Sequence, residues 1–343
     1  MTDNSPIATI FSLLQEPKLQ HMALADHIKK LSDFFVHNPD GHTPWDQDFC
    51  KIAYRYYYLP LNYIRNQQVI QRGFEIGFFQ DINTTVDWGC GPGTASLALA
   101  HELSHITQQI LIDRSPDALS AFADLKTNLK SSQYLTQLKL KNLNINYQKS
   151  LLVFSYSLTE MGSSLPEGHE QFPQIMILEP STQDDGRKLL KLRQELIQKK
   201  YYIWAPCTHQ NACPLLVHSK TDWCHDRFHV HAPEWFTKTE SFLPFKNRTI
   251  TTSYLLASKT PPPAHLKNYA RIVGDSLPEK GKTRQLICRN LSPAPSEREF
   301  LAWLHKTKEP QIIPRGELVA LPDNVEKKSN EIRLVENLKP YSK

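Results

Sequence analysis

The stretch "VDWGCGPGTASLALA", Val86 to Ala100, decides the fold. With Thr84 and Thr85 before it, its start reads as a short apolar strand, its end is made of good helix formers, and Gly89, Gly91 and Gly93 lie between. Glycines at the carboxyl end of a strand let the backbone turn tightly and approach a ligand, while the next helix offers unpaired N–H groups. The spacing is Gly-x-Gly-x-Gly rather than Gly-x-Gly-x-x-Gly, which favours S-adenosyl-L-methionine over a dinucleotide. A methionine moiety brings a carboxylate and an amine but no pyrophosphate to cradle. An acid closing the second strand, about 20 residues on, is then expected to accept the ribose hydroxyls. Asp113, in "ILIDRS", stands there, and Asp87 is expected to set up the loop or to meet the ligand's amine.

Outward from that turn, strand and helix patterns alternate. "QQILIDRS", "SLLVFSYSL" and "QIMILEPS" are short and almost wholly apolar, as strands buried on both faces of a sheet are. "SPDALSAFADLKTNL" reads as a helix with Ser115 as its N-cap, and "RKLLKLRQELIQKK" as an amphipathic helix. "YYIWAP" and "TTSYLLAS" read as later strands. The order predicts an α/β fold: a Rossmann-like, doubly wound sheet of the class I methyltransferase type. Residues 1–80 read as an N-terminal helical region. Residues 81–260 form the methyltransferase-like domain, with a cysteine-rich, metal-binding insert at 205–235, and 261–343 a small β-containing C-terminal extension whose polar tail is expected to lack order near its end.

At 343 residues, with 40% hydrophobic and 22% charged residues, the chain has the composition of a soluble globular protein. No apolar run approaches the roughly 18 to 20 residues of a membrane helix. The first thirty residues show neither a basic region ahead of an apolar core nor an arginine-rich, acid-poor pattern, so the expected compartment is the cytoplasm, of a bacterium. A net charge of +5 permits an RNA partner without implying one. "KIAYRYYYLPLNYIRNQQVIQR", Lys51 to Arg72, interleaves cations and tyrosines as an RNA surface does, or as a packed helix face does. Lys259, Lys267, Arg271, Lys280, Lys282, Arg284 and Arg289, with only Asp275 and Glu279 among them, suggest a phosphate-binding face. No catalytic motif is recognisable, although Ser155, Tyr156 and Glu160 fall where such folds present groups to the substrate.

Cys207, Cys213 and Cys224 are separated by five and ten residues, and Cys288 follows 63 residues later. In a reducing compartment such clustering means metal more often than disulfide. Four soft donors converging on one point would suit an iron–sulfur cluster. Zinc is the alternative, since His209, His218, His225, His229 and His231 are close in sequence, although no Cys-x-x-Cys knuckle is present. Spacing alone leaves both open, and an ordinary unmetallated core beside them.

The run "EPST…GRKLLKLRQELIQ…YYIWAPCTHQNACPL…DWCHDRFHV…YARIVG…RQLIC" resembles the methyltransferase-like family associated with the small ribosomal subunit, over about residues 50 to 290. The resemblance implies S-adenosyl-L-methionine at Gly89, Gly91, Gly93 and Asp113, and a 4Fe-4S cluster on Cys207, Cys213, Cys224 and Cys288. It implies a role on or beside small-subunit rRNA, as a methyltransferase or as a non-catalytic assembly factor retaining both cofactors. A small-molecule methyltransferase with a structural zinc is the weaker alternative. One departure stands out: the family's usual WCHF reads WCHD here, at Asp226. The sequence does not assign an oligomeric state.

Overall fold

The computed structural model describes residues 6–38, 42–127, 129, 131–136, 139–162, 164–245, 249–291, 298–306, 309–322 and 325–341. Two compact units divide the chain, one of Met1–Gln71, Asp81–Pro173 and His229–Ile250, the other of Arg72–Gln80, Gln174–Phe228 and Thr251–Lys343.

The first unit opens with helices α1 (Pro6–Leu14), α2 (His21–His37), α3 (Asp48–Ala53) and α4 (Leu59–Glu75). A π-helical turn, Tyr54–Tyr58, joins α3 to α4. Leu24, Ile28 and Leu31 bury one face of α2, as their three- and four-residue spacing predicts. Strands β1 (Thr84–Trp88), β2 (Gln108–Ile112), β3 (Ser132–Leu135) and β4 (Ser150–Ser155) follow, with α5 (Thr94–Glu102) between β1 and β2 and α6 (Pro116–Ser120) between β2 and β3. They lie in the order β3-β2-β1-β4, every pair parallel. All five residues of β1 and five of the six in β4 are buried, which is why these strands read as unbroken apolar runs rather than alternating ones.

The second unit carries β5 (Gln174–Glu179), α7 (Gln183–Gln198), β6 (Tyr202–Ala205), α8 (Pro214–His218), β7 (Asp226–His229) and β8 (Thr249–Ser258). β8 runs antiparallel between β5 and β6. In chain numbering the strands of the first unit read 3-2-1-4 and these three of the second read 5-8-6. An antiparallel β8 needs no crossover helix, which frees the segment after β6 to form the cysteine-bearing loop.

The same unit holds a second sheet: β9 (Tyr269–Ile272), β10 (Leu277–Glu279), β11 (Lys282–Arg289), β12 (Glu299–Leu304), β13 (Leu318–Ala320), β14 (Glu326–Lys328), β15 (Glu331–Leu334) and β16 (Lys339–Pro340). Its order is β14-β15-β12-β11-β9-β13-β16, with β10 on β11. Ala270, Ile272, Ile287, Leu301, Trp303, Val319 and Ile332 form its own core. The last strand pairs Lys339 and Pro340 with β13, and the end of the tail expected to lack order lies outside the described residues.

One expectation is corrected. The helix predicted from Ser115 does begin there, the Ser115 hydroxyl accepting the Ala118 N–H at 3.2 Å, but it ends at Ser120. Ala121 turns to an extended backbone and ends the helix, and Phe122, at a left-handed φ of 55°, stacks its ring on Tyr54. In the Tyr-rich run 51–72, Tyr57 and Tyr63 are buried, as the packed-face reading expects, Tyr63 bonds His101, and Arg55 is bidentate on Asp124.

Candidate cofactor sites

β1 delivers the chain to the glycine turn. Gly89, Gly91 and Gly93 have φ of 68°, 52° and 85°, a left-handed region that a side chain rarely tolerates. A Cβ on Gly93 would also stand 2.7 Å from Leu111 Cδ2, so two independent constraints require glycine there. The Gly89 and Cys90 N–H groups donate to the Ile112 carbonyl, locking the turn to the end of β2. Asp113 follows at once: its Oδ2 accepts the Gly91 N–H at 2.8 Å and its Oδ1 the Ser115 N–H at 2.8 Å. Both oxygens are oriented by backbone donors, and a carboxylate keeps lone pairs beyond those two bonds. The structure thus brings Gly89, Gly91, Gly93 and Asp113 together.

Asp87 takes the first of the two roles considered for it, setting up the loop. It is fully buried, and its Oδ2 accepts the Ser96 hydroxyl at 2.8 Å and the Ser96 N–H at 3.2 Å, tying β1 to the first turn of α5. Burial pushes its carboxyl up to about 7 against those two bonds, with Asp113 adding to the rise. Residues that sequence reasoning did not assign to the turn surround it. Trp45 lies in ordinary contact range of the space beside Gly91, its ring 4.8 Å from that of Tyr54, which stacks on Phe122 in turn. The clue in the sequence was the aromatic run itself, whose π-helical turn is a form often found at functional sites.

At the end of β4, the Ser155 hydroxyl accepts from Asn66 Nδ2 at 3.0 Å, and Tyr156 is held at a φ of 61°, an uncommon conformation for an aromatic residue. Ser157 donates to the Trp88 carbonyl at 2.7 Å, fixing this segment to β1. Burial raises the Glu160 carboxyl above the usual range, Arg114 opposing and Asp113 reinforcing the shift.

In the second unit, β6 leads through a cis Ala205–Pro206 bond to Cys207. Cys207, Cys213, Cys224 and Cys288 line one cavity, together with Arg193, His209, Leu189, Leu190 and Leu215. Cys288 reaches it from β11, so the fourth cysteine named from sequence joins the other three despite its distance along the chain. All four thiols are free. Burial pushes Cys224 up to about 12, and burial together with the charges of the other three holds Cys288 well above the thiol range. Among the described residues no three His, Cys, Asp or Glu side chains form a group that could hold a metal ion, so the metal-binding insert expected from sequence is not displayed as a formed site. The four sulfurs share a chamber without closing on a single point. Of the histidines, only His209 lines it.

The walls are built locally. Gln210 donates to the Ile203 carbonyl and accepts the Ile203 N–H, clamping the loop to β6. Four successive carbonyls of the loop, 222 to 225, each receive a side-chain donor: Arg187 on Asp222, Arg315 on Trp223 and His225, and Ser253 on Cys224. Trp223 packs over Gly186 and donates to the Ser181 carbonyl. Trp204, on β6, meets Phe78 edge to face and donates to the Thr260 carbonyl. Asp226, where the sequence departs from the WCHF pattern, forms a buried ion pair with Arg271.

That pair is one reason the basic face does not stand as expected. Arg284 is paired with Glu279 and Glu331, Lys282 with Glu331, and Arg289 with Glu299. Most of these acids lie outside residues 259–289, where a reading of that window could not see them.

Residues 78–297 match the family described as "Mitochondrial small ribosomal subunit Rsm22". No curated protein matches. Similar solved structures include a putative RNA methyltransferase from Pyrococcus horikoshii, at 11% identity over 57% of this chain and 84% of that one, TM-score 0.35. The 16S rRNA methylase RmtB is 9% identical over 68% and 75%, TM-score 0.34. The TYW2 protein of M. jannaschii, solved with AdoMet, is 10% identical over 57% and 77%, TM-score 0.30. Among the described residues no helix is long and apolar enough to cross a membrane.

Proposed function

We propose, from the premise that this chain belongs to the family described as mitochondrial small ribosomal subunit Rsm22, that it binds S-adenosyl-L-methionine at the glycine turn and methylates RNA of the small ribosomal subunit. The observation that carries the reading is the bond from the Gly91 N–H to Asp113 within a turn of three left-handed glycines. That arrangement offers amide donors for the ligand's carboxylate and a fixed carboxylate for its ribose hydroxyls. When bound, the cofactor supplies a methyl group on a sulfonium. Ser155, at the end of β4, and Glu160, beyond it, are the chain's own candidates to receive and pass on the acceptor's proton.

The same reading assigns Cys207, Cys213, Cys224 and Cys288 to a 4Fe-4S cluster. Four soft donors lining one chamber, with a buried arginine to balance thiolate charge, suit that group better than zinc, which needs its ligand atoms within about 2.3 Å of one ion. Its role would be to cross-link the loop after β6 to β11.

Labelled S-adenosyl-L-methionine supplied with small subunits from a strain lacking the gene tests the reaction. Label is expected in rRNA and is expected to vanish with Asp113→Ala. Anaerobically purified protein should be brown and carry about four irons and four sulfides per chain, and Cys288→Ser should lose them. A colourless protein holding one zinc would exclude the cluster. The second reading, a non-catalytic assembly factor, is favoured by the family's description, which names a subunit of the ribosome and no reaction. Tight binding to the small subunit without label would establish it.

A further inference from the structure

Arg193 sits on the buried face of α7 with none of its surface exposed. Its Nε donates to Cys207 Sγ at 3.1 Å and its Nη2 to the His209 carbonyl at 2.8 Å, which fixes the guanidinium plane against the chamber wall. His209 Nε2 lies 3.1 Å from Cys288 Sγ. A ring nitrogen at that distance from a thiolate bonds to it by donating. Two of the four sulfurs, from opposite ends of the sequence, thus face fixed N–H donors.

The charge balance adds a second observation. Among the described residues Arg193 pairs with no carboxylate. A buried cation with no counter-ion costs several kcal/mol. Of the described residues lining the chamber, Cys207 and Cys288 are the acidic groups in hydrogen-bond reach of this wall, and as ligands of the proposed cluster the four cysteines would be thiolates and supply the negative charge.

We infer that Arg193, with His209 in support, is a positioning residue that sets the reduction potential of the group held by the four cysteines. The inference rests on the cluster reading above. Reduction adds one electron and breaks no ligand bond. The added negative charge is stabilised by a nearby guanidinium and by N–H donors to sulfur, so both residues raise the potential.

The test is an anaerobic redox titration with dithionite and mediators, followed by absorbance near 400 nm and by electron paramagnetic resonance of the reduced protein. Wild type is compared with Arg193→Gln, Arg193→Lys, His209→Leu and His209→Gln. Arg193→Gln is expected to shift the oxidised-to-reduced ratio about tenfold toward oxidised, a potential about 59 mV lower. Arg193→Lys, which keeps the charge and loses the planar fork, should fall between. His209→Leu should shift less in the same direction, and His209→Gln, whose amide reaches the same sulfur, should restore the wild-type value. A wild-type potential in Arg193→Gln with its irons retained overturns the inference and leaves the cluster standing. A wild type without iron and sulfide overturns both. Should Arg193→Gln fail to fold, wild-type potentials in both Arg193→Lys and His209→Leu overturn it equally.

Discussion

Asp87 joins the end of β1 to the start of α5 from a position without solvent, and its carboxyl sits near 7 because burial penalises the charged form. The folded value lies above the ordinary carboxyl value of 3.8, so the protonated form is favoured by folding and its contribution fades as pH rises toward 7. The loss is on the order of 4 kcal/mol at most, at 1.36 kcal/mol per unit. Asp124, Glu299 and Glu331 are shifted downward, so their contributions change only at more acidic pH. His209 and His225, held down to about 4 and about 3 by burial, act the opposite way over the same range, so the Asp87 contribution is read as a difference: from pH 5 to 7 in urea unfolding wild type is expected to lose stability relative to Asp87→Asn, which keeps an oxygen for Ser96 and carries no charge. Parallel curves would rule out this account of the site. The acid and the three glycines were legible in the sequence because each has a backbone requirement tied to one motif. Trp45 and Phe122 were not, because their approach to the turn depends on a π-helical turn and on a left-handed residue that no periodicity encodes.

Helix α7 was legible as an amphipathic segment, and its stripe of Leu189, Leu190 and Leu196 is buried as expected. Arg193 falls on that stripe, three and four residues from the leucines, and a lone cation among apolar positions was the readable sign of a buried partner. Gly186, near the N-terminus of the same helix, decides how closely the cysteine loop approaches: a Cβ there would stand 2.3 Å from Trp223 Cδ1. Gly186→Ala is expected to cost about 1–3 kcal/mol by overpacking and to speed the loss of iron to a chelator, followed by absorbance. An unchanged rate would separate Trp223 from the chamber. The second sheet was largely illegible. Several of its strands are two to four residues long, β12 and β15 pair in parallel across nearly thirty residues, and their apolar members are too few to show a period.

Among the described residues, those around the glycine turn belong to one unit and those lining the cysteine chamber to the other. Sites without shared partners behave additively. Cys288→Ser is accordingly expected to leave the dissociation constant for S-adenosyl-L-methionine within about threefold of wild type by calorimetry. Asp113→Ala is expected to leave the iron content unchanged. A larger effect in either direction would mean that the two sites are coupled.

The double grip of Arg315 on the carbonyls of Trp223 and His225 has a consequence in time. Chains emerge from the ribosome N-terminus first, and their parts fold in that order. All four cysteines are therefore synthesised before the arginine that fastens the third of them. During synthesis the nascent chain passes through an interval in which its thiols are present but the loop holding Cys224 is unlatched. For the cluster proposed above, that interval would be the widest opening for delivery of iron and sulfide.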